Sequence, residues 1–181
     1  MVENTSEEVY YKKCSAYLEV ANDYRLGGLT TEKSNPLTEN LSLIANKNLQ
    51  EAISILKQAD ISALEKLHRI SGGIDKLRIS VKKTLNDGNK IFLCGCGATG
   101  RLSLALEFIW CQLNCGSELE QSVIGFMAGG DVALINSLEQ FEDYPKYGAR
   151  HLNELGFGKG DLFIGITEGG ETPYVIGATE E

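Results

Sequence analysis

Lys90-Ile91-Phe92-Leu93-Cys94-Gly95-Cys96-Gly97-Ala98-Thr99-Gly100-Arg101 is the stretch whose reading decides the fold. Lys90 to Cys94 is a short apolar run with the length of a buried strand. Glycines then turn the chain, and Leu102 to Leu113 reads as a largely apolar helix. Strand, tight turn and helix in this order predict a parallel sheet with right-handed crossovers.

Downstream the pattern repeats. A second strand is predicted at Ser122 to Met127, followed by Ala128-Gly129-Gly130-Asp131 and a helix from Val132 to Phe141. Pro145 opens another helix, through Leu155. Gly156, Gly158 and Gly160 lead to a third strand, Asp161 to Ile166, and Thr172-Pro173 opens a last helix.

Upstream, a helix is predicted from Ile74 to Leu85 and stops at Asn86-Asp87-Gly88. From Leu41 to Leu67 apolar residues recur at three- and four-residue intervals, which reads as one or two amphipathic helices ended by Gly72-Gly73. Residues 1 to 22 have helical potential through Val9, Tyr10, Tyr17, Leu18 and Val20, broken at Arg25-Leu26-Gly27-Gly28. Thr30 to Asn40 is almost without apolar residues, and Asn35-Pro36 biases it away from helix, so an ordered loop or linker is expected. The expected organisation is an N-terminal helix and ordered polar linker over 1–40, then an α/β domain over 41–181 with helices on both faces of a parallel sheet. Such sheets usually have more than three strands, so 41–181 is expected to be the N-terminal part of a longer domain.

The 181 residues are 43% hydrophobic and carry a net charge of -8. That balance argues against nucleic acid or an anionic membrane surface as partner, since both need clustered Lys and Arg. No run approaches the ~20 apolar residues of a membrane span. The opening MVENTSEEVYYKK is too polar for a signal peptide, so a cytoplasmic protein is expected. Five cysteines, an odd number, do not suit a disulfide framework in such a chain. Cys94 and Cys96 flank a glycine, Cys111 and Cys115 are four apart, and the histidines are His68 and His151. That spacing does not match a zinc site, and neither metal nor cofactor is expected.

Gly95 to Gly100 follows a strand and opens a helix, where backbone N–H groups and the helix N-terminus bind anions. The spacing also fits a dinucleotide fingerprint, but the acidic residue that should end the next strand about 20 positions on is poorly matched, since that strand ends near Gly129 to Asp131 and Glu118 and Glu120 come before it. A tight turn without a ligand is the third reading. Arg101 either neutralises charge or pins the turn. In an open parallel sheet ligands bind beyond the C-terminal ends of the strands. That edge also gathers Ala128-Gly129-Gly130 and Thr167-Glu168-Gly169-Gly170-Glu171-Thr172, with Thr99, Thr167 and Thr172 as hydroxyl donors to a phosphate. Glu168 and Glu171 read as helix N-terminal acids or as sugar-hydroxyl acceptors. Glu139, Glu142 and Asp143 read as proton carriers, hydroxyl acceptors or a solvated helix end. His151 reads as a packing residue or a ring-opening one, and Phe108 and Trp110 as core.

With these residues in view, the chain resembles the SIS-domain family of N-acetylmuramic acid 6-phosphate etherase and glucokinase regulatory protein, from about residue 30 onward. The resemblance rests on Thr31-Glu32-Lys33-Ser34-Asn35-Pro36-Leu37-Thr38, Gly95-x-Gly97-x-Thr99-Gly100-Arg101, Ala128-Gly129-Gly130, Glu139-x-x-Glu142-Asp143 and Thr172-Pro173-Tyr174-Val175-Ile176. It implies a three-layer, flavodoxin-like parallel sheet of five strands that binds a phosphorylated sugar. The implied binding residues are Gly95, Gly97, Ala98, Thr99, Gly100, Gly129, Gly130, Glu139, Glu142, Thr167, Gly170 and Thr172. Thr99 and Thr167 take the places of phosphate-binding serines, and Glu139 and Glu142 contact sugar hydroxyls. Ala98 and Glu171 depart from the hydroxyl or basic residues usual in the family.

If the chain is an enzyme, the resemblance makes Glu142 its catalytic base. The etherase pattern has a second glutamate, whose position here is Ile109, and Glu107 lies on a different helix face. This favours the regulatory-protein branch, with fructose 6-phosphate as first ligand, over an etherase or a sugar-phosphate isomerase. The implied protein partners are a sugar kinase, a second SIS domain or a second copy of the chain.

Overall fold

The computed structural model describes residues 6–21, 33–136 and 138–181, apart from the side chains of 6–8 and 139. The expected break at 25–28 and the linker residues 30–32 lie outside the described residues. The chain divides into two compact units between His68 and Arg69.

The first unit carries α1 (Ser6–Val20), α2 (Leu41–Lys47) and most of α3 (Leu49–Arg69). The polar linker ends in an ordered turn. Asn35 accepts the Leu37 N–H on its side chain at 3.0 Å and the Thr38 N–H on its carbonyl at 2.9 Å. One residue splits the long amphipathic stretch in two. Asn48 is extended and donates its N–H to Ile44 at 2.7 Å, which closes α2. Its side-chain oxygen accepts the Glu51 N–H at 3.2 Å, which caps α3.

The second unit holds α4 (Gly72–Asn86), β1 (Ile91–Gly95), α5 (Gly97–Leu113), β2 (Val123–Met127), α6 (Pro145–Glu154), β3 (Leu162–Ile166) and α7 (Pro173–Glu180). Gly72 and Gly73 open α4 instead of ending the unit before it. The break falls at Ile70-Ser71, whose carbonyls accept the N–H groups of Gly73 and Ile74 at 3.1 and 2.9 Å.

The sheet order is β2-β1-β3, all parallel. Ile91 lies opposite Val123 and Leu162, and Gly95 opposite Met127 and Ile166. The middle strand is buried along its whole length, as its unbroken apolar run requires. Side chains alternate between faces. Ile91, Leu93 and Val123 pack with Val81 and Leu85 of α4 and Trp110 of α5. Phe92, Cys94 and Phe126 pack with Leu152 of α6 and Tyr174, Val175 and Ala178 of α7. The result is the expected α/β architecture with helices on both faces.

Close approaches set the layers. A Cβ on Gly100 would lie 2.6 Å from the Met127 Cβ, and one on Gly125 2.6 Å from the Ser103 carbonyl oxygen, so α5 rests directly on β2. Across the sheet, a Cβ on Gly148 would fall on the Tyr174 carbonyl and one on Gly177 on the Pro145 carbonyl. Helices α6 and α7 therefore meet backbone to backbone.

Two expectations fail. No α-helix spans Val132 to Phe141; 3-10 turns occupy Gly130–Leu134 and Glu139–Phe141. A helix there has little surface to bury, because among the described residues Val132, Leu134 and Ile135 are exposed and Ala133 alone is fully buried. Phe108 is 65% exposed and not core, since it lies on a part of α5 turned away from the sheet. Trp110 is half-buried, and its indole N–H donates to the Leu119 carbonyl at 2.7 Å.

Candidate functional site

The glycine run after β1 is itself the first turn of α5, which starts at Gly97 and not at Leu102. Its leading N–H groups on Gly97 and Ala98 have no intrahelical carbonyl to bond and crown the C-terminal edge of the sheet, while the Thr99 N–H is capped by the Cys96 side chain. A Cβ on Gly95 would lie 2.5 Å from the Thr99 carbonyl carbon, so the helix start sits against the strand end. Gly97 takes φ +50, a left-handed conformation that favours glycine.

The Thr99 hydroxyl closes its own turn. It accepts the Cys96 N–H at 3.1 Å and donates to the Cys96 carbonyl at 2.8 Å. The donors this turn offers to an anion are therefore backbone N–H groups. Burial pushes the Cys96 thiol up to about 11, opposed by a bond from the Ala128 N–H and reinforced by the charge of Glu142. Burial raises the Cys94 thiol further, with Cys96 adding to it. Both stay protonated near neutrality and behave as small apolar groups.

The second strand end turns at Gly129, φ +81. A narrow cleft of about 30 Å³ lies between it and the start of α5, lined by Gly97, Arg101, Met127, Ala128, Leu138 and Glu142 together with Ala133. Arg101 spans it, donating Nη2 to the Ala133 carbonyl at 3.1 Å. Gly129 and Gly130 line a neighbouring groove instead, with Phe141, Tyr147, Arg150 and His151. The side chain of Glu139 lies outside the described residues.

At the third strand end the Thr167 and Thr172 hydroxyls are 3.2 Å apart, and the Gly170 N–H donates to Thr167 Oγ1 at 3.3 Å. The pairing of Gly95 with Ile166 sets this loop beside Cys96 and Gly97. The strand order reverses between β1 and β3, the switch point where open α/β sheets bind ligands. Glu168 and Glu171 are exposed. Tyr174, in the first turn of α7, donates its N–H to the Glu142 carbonyl at 2.9 Å. Beyond the Ala128 N–H, which reaches the Gly95 carbonyl at 3.3 Å, two hydrogen bonds stitch the three loops: Arg101 to Ala133, and Tyr174 to Glu142. The first had a sequence signal, an arginine directly after the last glycine. The second is a main-chain bond and had none.

Other candidates lie outside the cleft. His151 Nδ1 is 2.6 Å from the Tyr174 hydroxyl, and its ring packs on Phe126 at 5.0 Å. Burial holds its pKa below the ordinary value, with Glu154 and Asp131 opposing. It is a helix-packing histidine. Glu107 is half-buried, and its carboxyl is raised by burial, against a bond from the Gly125 N–H, with the Asp131 charge adding to the rise. It faces β2. Ile109 is half-exposed and about 18 Å along the helix axis from Gly97. At the end of β2, Met127-Ala128-Gly129 offers no carboxylate to a ribose.

Residues 69–180 match the family described as the glucokinase regulatory protein N-terminal SIS domain. The chain belongs to that family. This SIS chain is also similar to curated proteins named N-acetylmuramic acid 6-phosphate etherase. It is 33% identical over 155 residues to that of Francisella philomiragia, covering 86% of this chain and 51% of the relative. It is 35% identical over 151 residues to that of Synechococcus sp., covering 83% and 46%. A third, etherase 2 of Vibrio cholerae, is 33% identical over 156 residues, covering 86% and 49%. The SIS chain spans about half the length of the curated relatives it matches. Among its described residues no helix is long and apolar enough to cross a membrane.

Proposed function

We propose that this SIS chain binds a phosphorylated sugar, a hexose 6-phosphate or amino-sugar 6-phosphate, at the C-terminal edge of its sheet. One observation carries the reading: the glycine-headed start of α5, Arg101 and Glu142 face one cleft at that edge. The phosphate takes the N–H groups of Gly97 and Ala98, and the Gly170, Thr167 and Thr172 loop closes on it from β3. The Glu142 carboxylate accepts sugar hydroxyls. Because the cleft is narrow, the sugar extends out of it, along the groove that holds Gly129 and Gly130. The functional module is residues 41–181, carried in the cytoplasm behind the helix and linker of 1–40.

A regulatory role fits better than catalysis. Ether cleavage needs one group to remove a sugar proton and another to protonate the leaving oxygen. Glu142 is placed for one of these, and the position matching the second is Ile109, far along α5. The ligand then tunes contact with a sugar kinase, a second SIS domain or a second copy. The etherase names of the relatives support the other reading, with Glu142 as base.

Calorimetry decides. Fructose 6-phosphate is expected to bind, with a ~10-fold loss in Glu142→Gln from removing a charged acceptor. Absence of heat with every hexose and amino-sugar phosphate at millimolar concentration defeats the proposal. Release of lactate from N-acetylmuramic acid 6-phosphate, abolished by Glu142→Gln, establishes the etherase reading in its place. Thermal protection by a nicotinamide dinucleotide, and not by phosphosugars, establishes the dinucleotide one.

A further inference from the structure

We propose that Arg101 is the spacer of the site, a positioning residue that fixes the gap between the phosphate cradle and the carboxylate wall and thereby selects ligands by their phosphate-to-hydroxyl distance. The inference rests on the phosphosugar reading above.

Arg101 lies one helical turn beyond Gly97, so it is rigidly attached to the cradle. Its guanidinium reaches across the cleft to the Ala133 carbonyl at 3.1 Å. Ala133 is the anchor of the opposing wall. It is 3% exposed while its neighbours Val132 and Leu134 stand in solvent. A Cβ on Gly129 would touch Ala133 and Leu138 at 3.1 Å each, so this turn is packed into one piece. From Ala133 the wall continues through Leu138 to Glu142, whose carbonyl is held from the far side by Tyr174. The Arg101 strut ties the middle of this wall to α5, as the Tyr174 bond ties its end to α7.

Arg101 is also the one cation among the described residues lining the cleft. The bond to Ala133 uses one of its five N–H donors, and the planar fork leaves others for an anion. A lysine keeps the charge but has a flexible stem and no fork, so it cannot hold the wall and meet a phosphate together. Spacing and charge are therefore separable by substitution.

The test is calorimetry on the full chain and on Arg101→Lys and Arg101→Met, titrating inorganic phosphate and fructose 6-phosphate. Arg101→Lys is expected to weaken fructose 6-phosphate at least about five times more than it weakens phosphate. Arg101→Met is expected to weaken both. Equal weakening of both probes by Arg101→Lys, or none, overturns the proposal and leaves the phosphosugar reading standing. Wild-type chain that binds neither probe overturns both together. Loss of cooperative melting in both variants also overturns it, because Arg101 is then a folding residue.

Discussion

The Tyr174 N–H donates to the carbonyl of Glu142 at 2.9 Å, so the helix after β3 grips the chain at the carboxylate that enters the cleft. The same tyrosine is 2% exposed, and its hydroxyl meets His151 Nδ1 at 2.6 Å and the Met127 carbonyl at 3.4 Å. Tyr174→Phe keeps the ring and the main-chain bond but strands the imidazole and the carbonyl. Unfolding in denaturant is expected to show a loss of about 1–3 kcal/mol. Stability equal to wild type would mean that the hydroxyl contributes nothing.

Glycines of the cradle separate crowding from backbone strain. Alanine at Gly95 meets the Thr99 main chain at 2.5 Å, and at Gly100 it meets Met127 at 2.6 Å. Both substitutions are expected to cost about 2–4 kcal/mol and to displace the start of α5. Gly97 has open space around it but φ +50, so Gly97→Ala carries strain alone, about 1–2 kcal/mol. Melting curves of the three variants check the order, and Gly97→Ala as the most damaging would refute it.

Thr99 is expected to act on stability before affinity. Its hydroxyl bonds both main-chain groups of Cys96. Thr99→Val leaves the Cys96 N–H unpaired while the Cys96 carbonyl keeps the Gly100 N–H, at about 1–2 kcal/mol, whereas Thr99→Ser stays within about 0.5 kcal/mol of wild type. If Thr99→Val melts like wild type yet loses phosphosugar binding, the hydroxyl belongs to the ligand and not to the turn.

His151 predicts a pH dependence. Burial lowers its folded-state pKa below the unfolded value of 6.5, while Glu154 and Asp131 pull the other way and Tyr174 faces Nδ1. The unfolded chain therefore takes up the proton first. The contribution to stability is full above about pH 6.5 and drains as the pH falls through it toward the lower folded value. Glu107 has the opposite sign, because its raised folded-state pKa makes acidification stabilising. Comparing His151→Gln with wild type from pH 8 to 5.5 isolates the imidazole. The gap between the two melting temperatures should narrow toward acid, and a constant gap would contradict the assignment.

The sheet was legible because its physics is local. An apolar run such as Ile91 to Cys94, closed by glycines, can be little else than a buried strand entering a helix. The region from Val132 to Phe141 was not, since apolar residues at helical spacing say nothing about whether a surface exists to receive them. Phe108 misled for the same reason. At the site, chain adjacency marked Arg101 beside the glycine turn, and the family resemblance drew attention to Glu142. They could not reveal that the Thr99 hydroxyl is spent on Cys96, or that Gly129 and Gly130 face a separate groove, because both depend on where the backbone goes after each strand.

The main-chain contact of α6 with α7 at Gly148 and Gly177 leaves no side chain between the two helices at those points to compress or slide. They can travel only as one lever. Any closing around a guest must then be taken up at the joints, the segments entering Pro145 and Thr172, and a tug on Glu142 at one joint is felt through Tyr174 at the other.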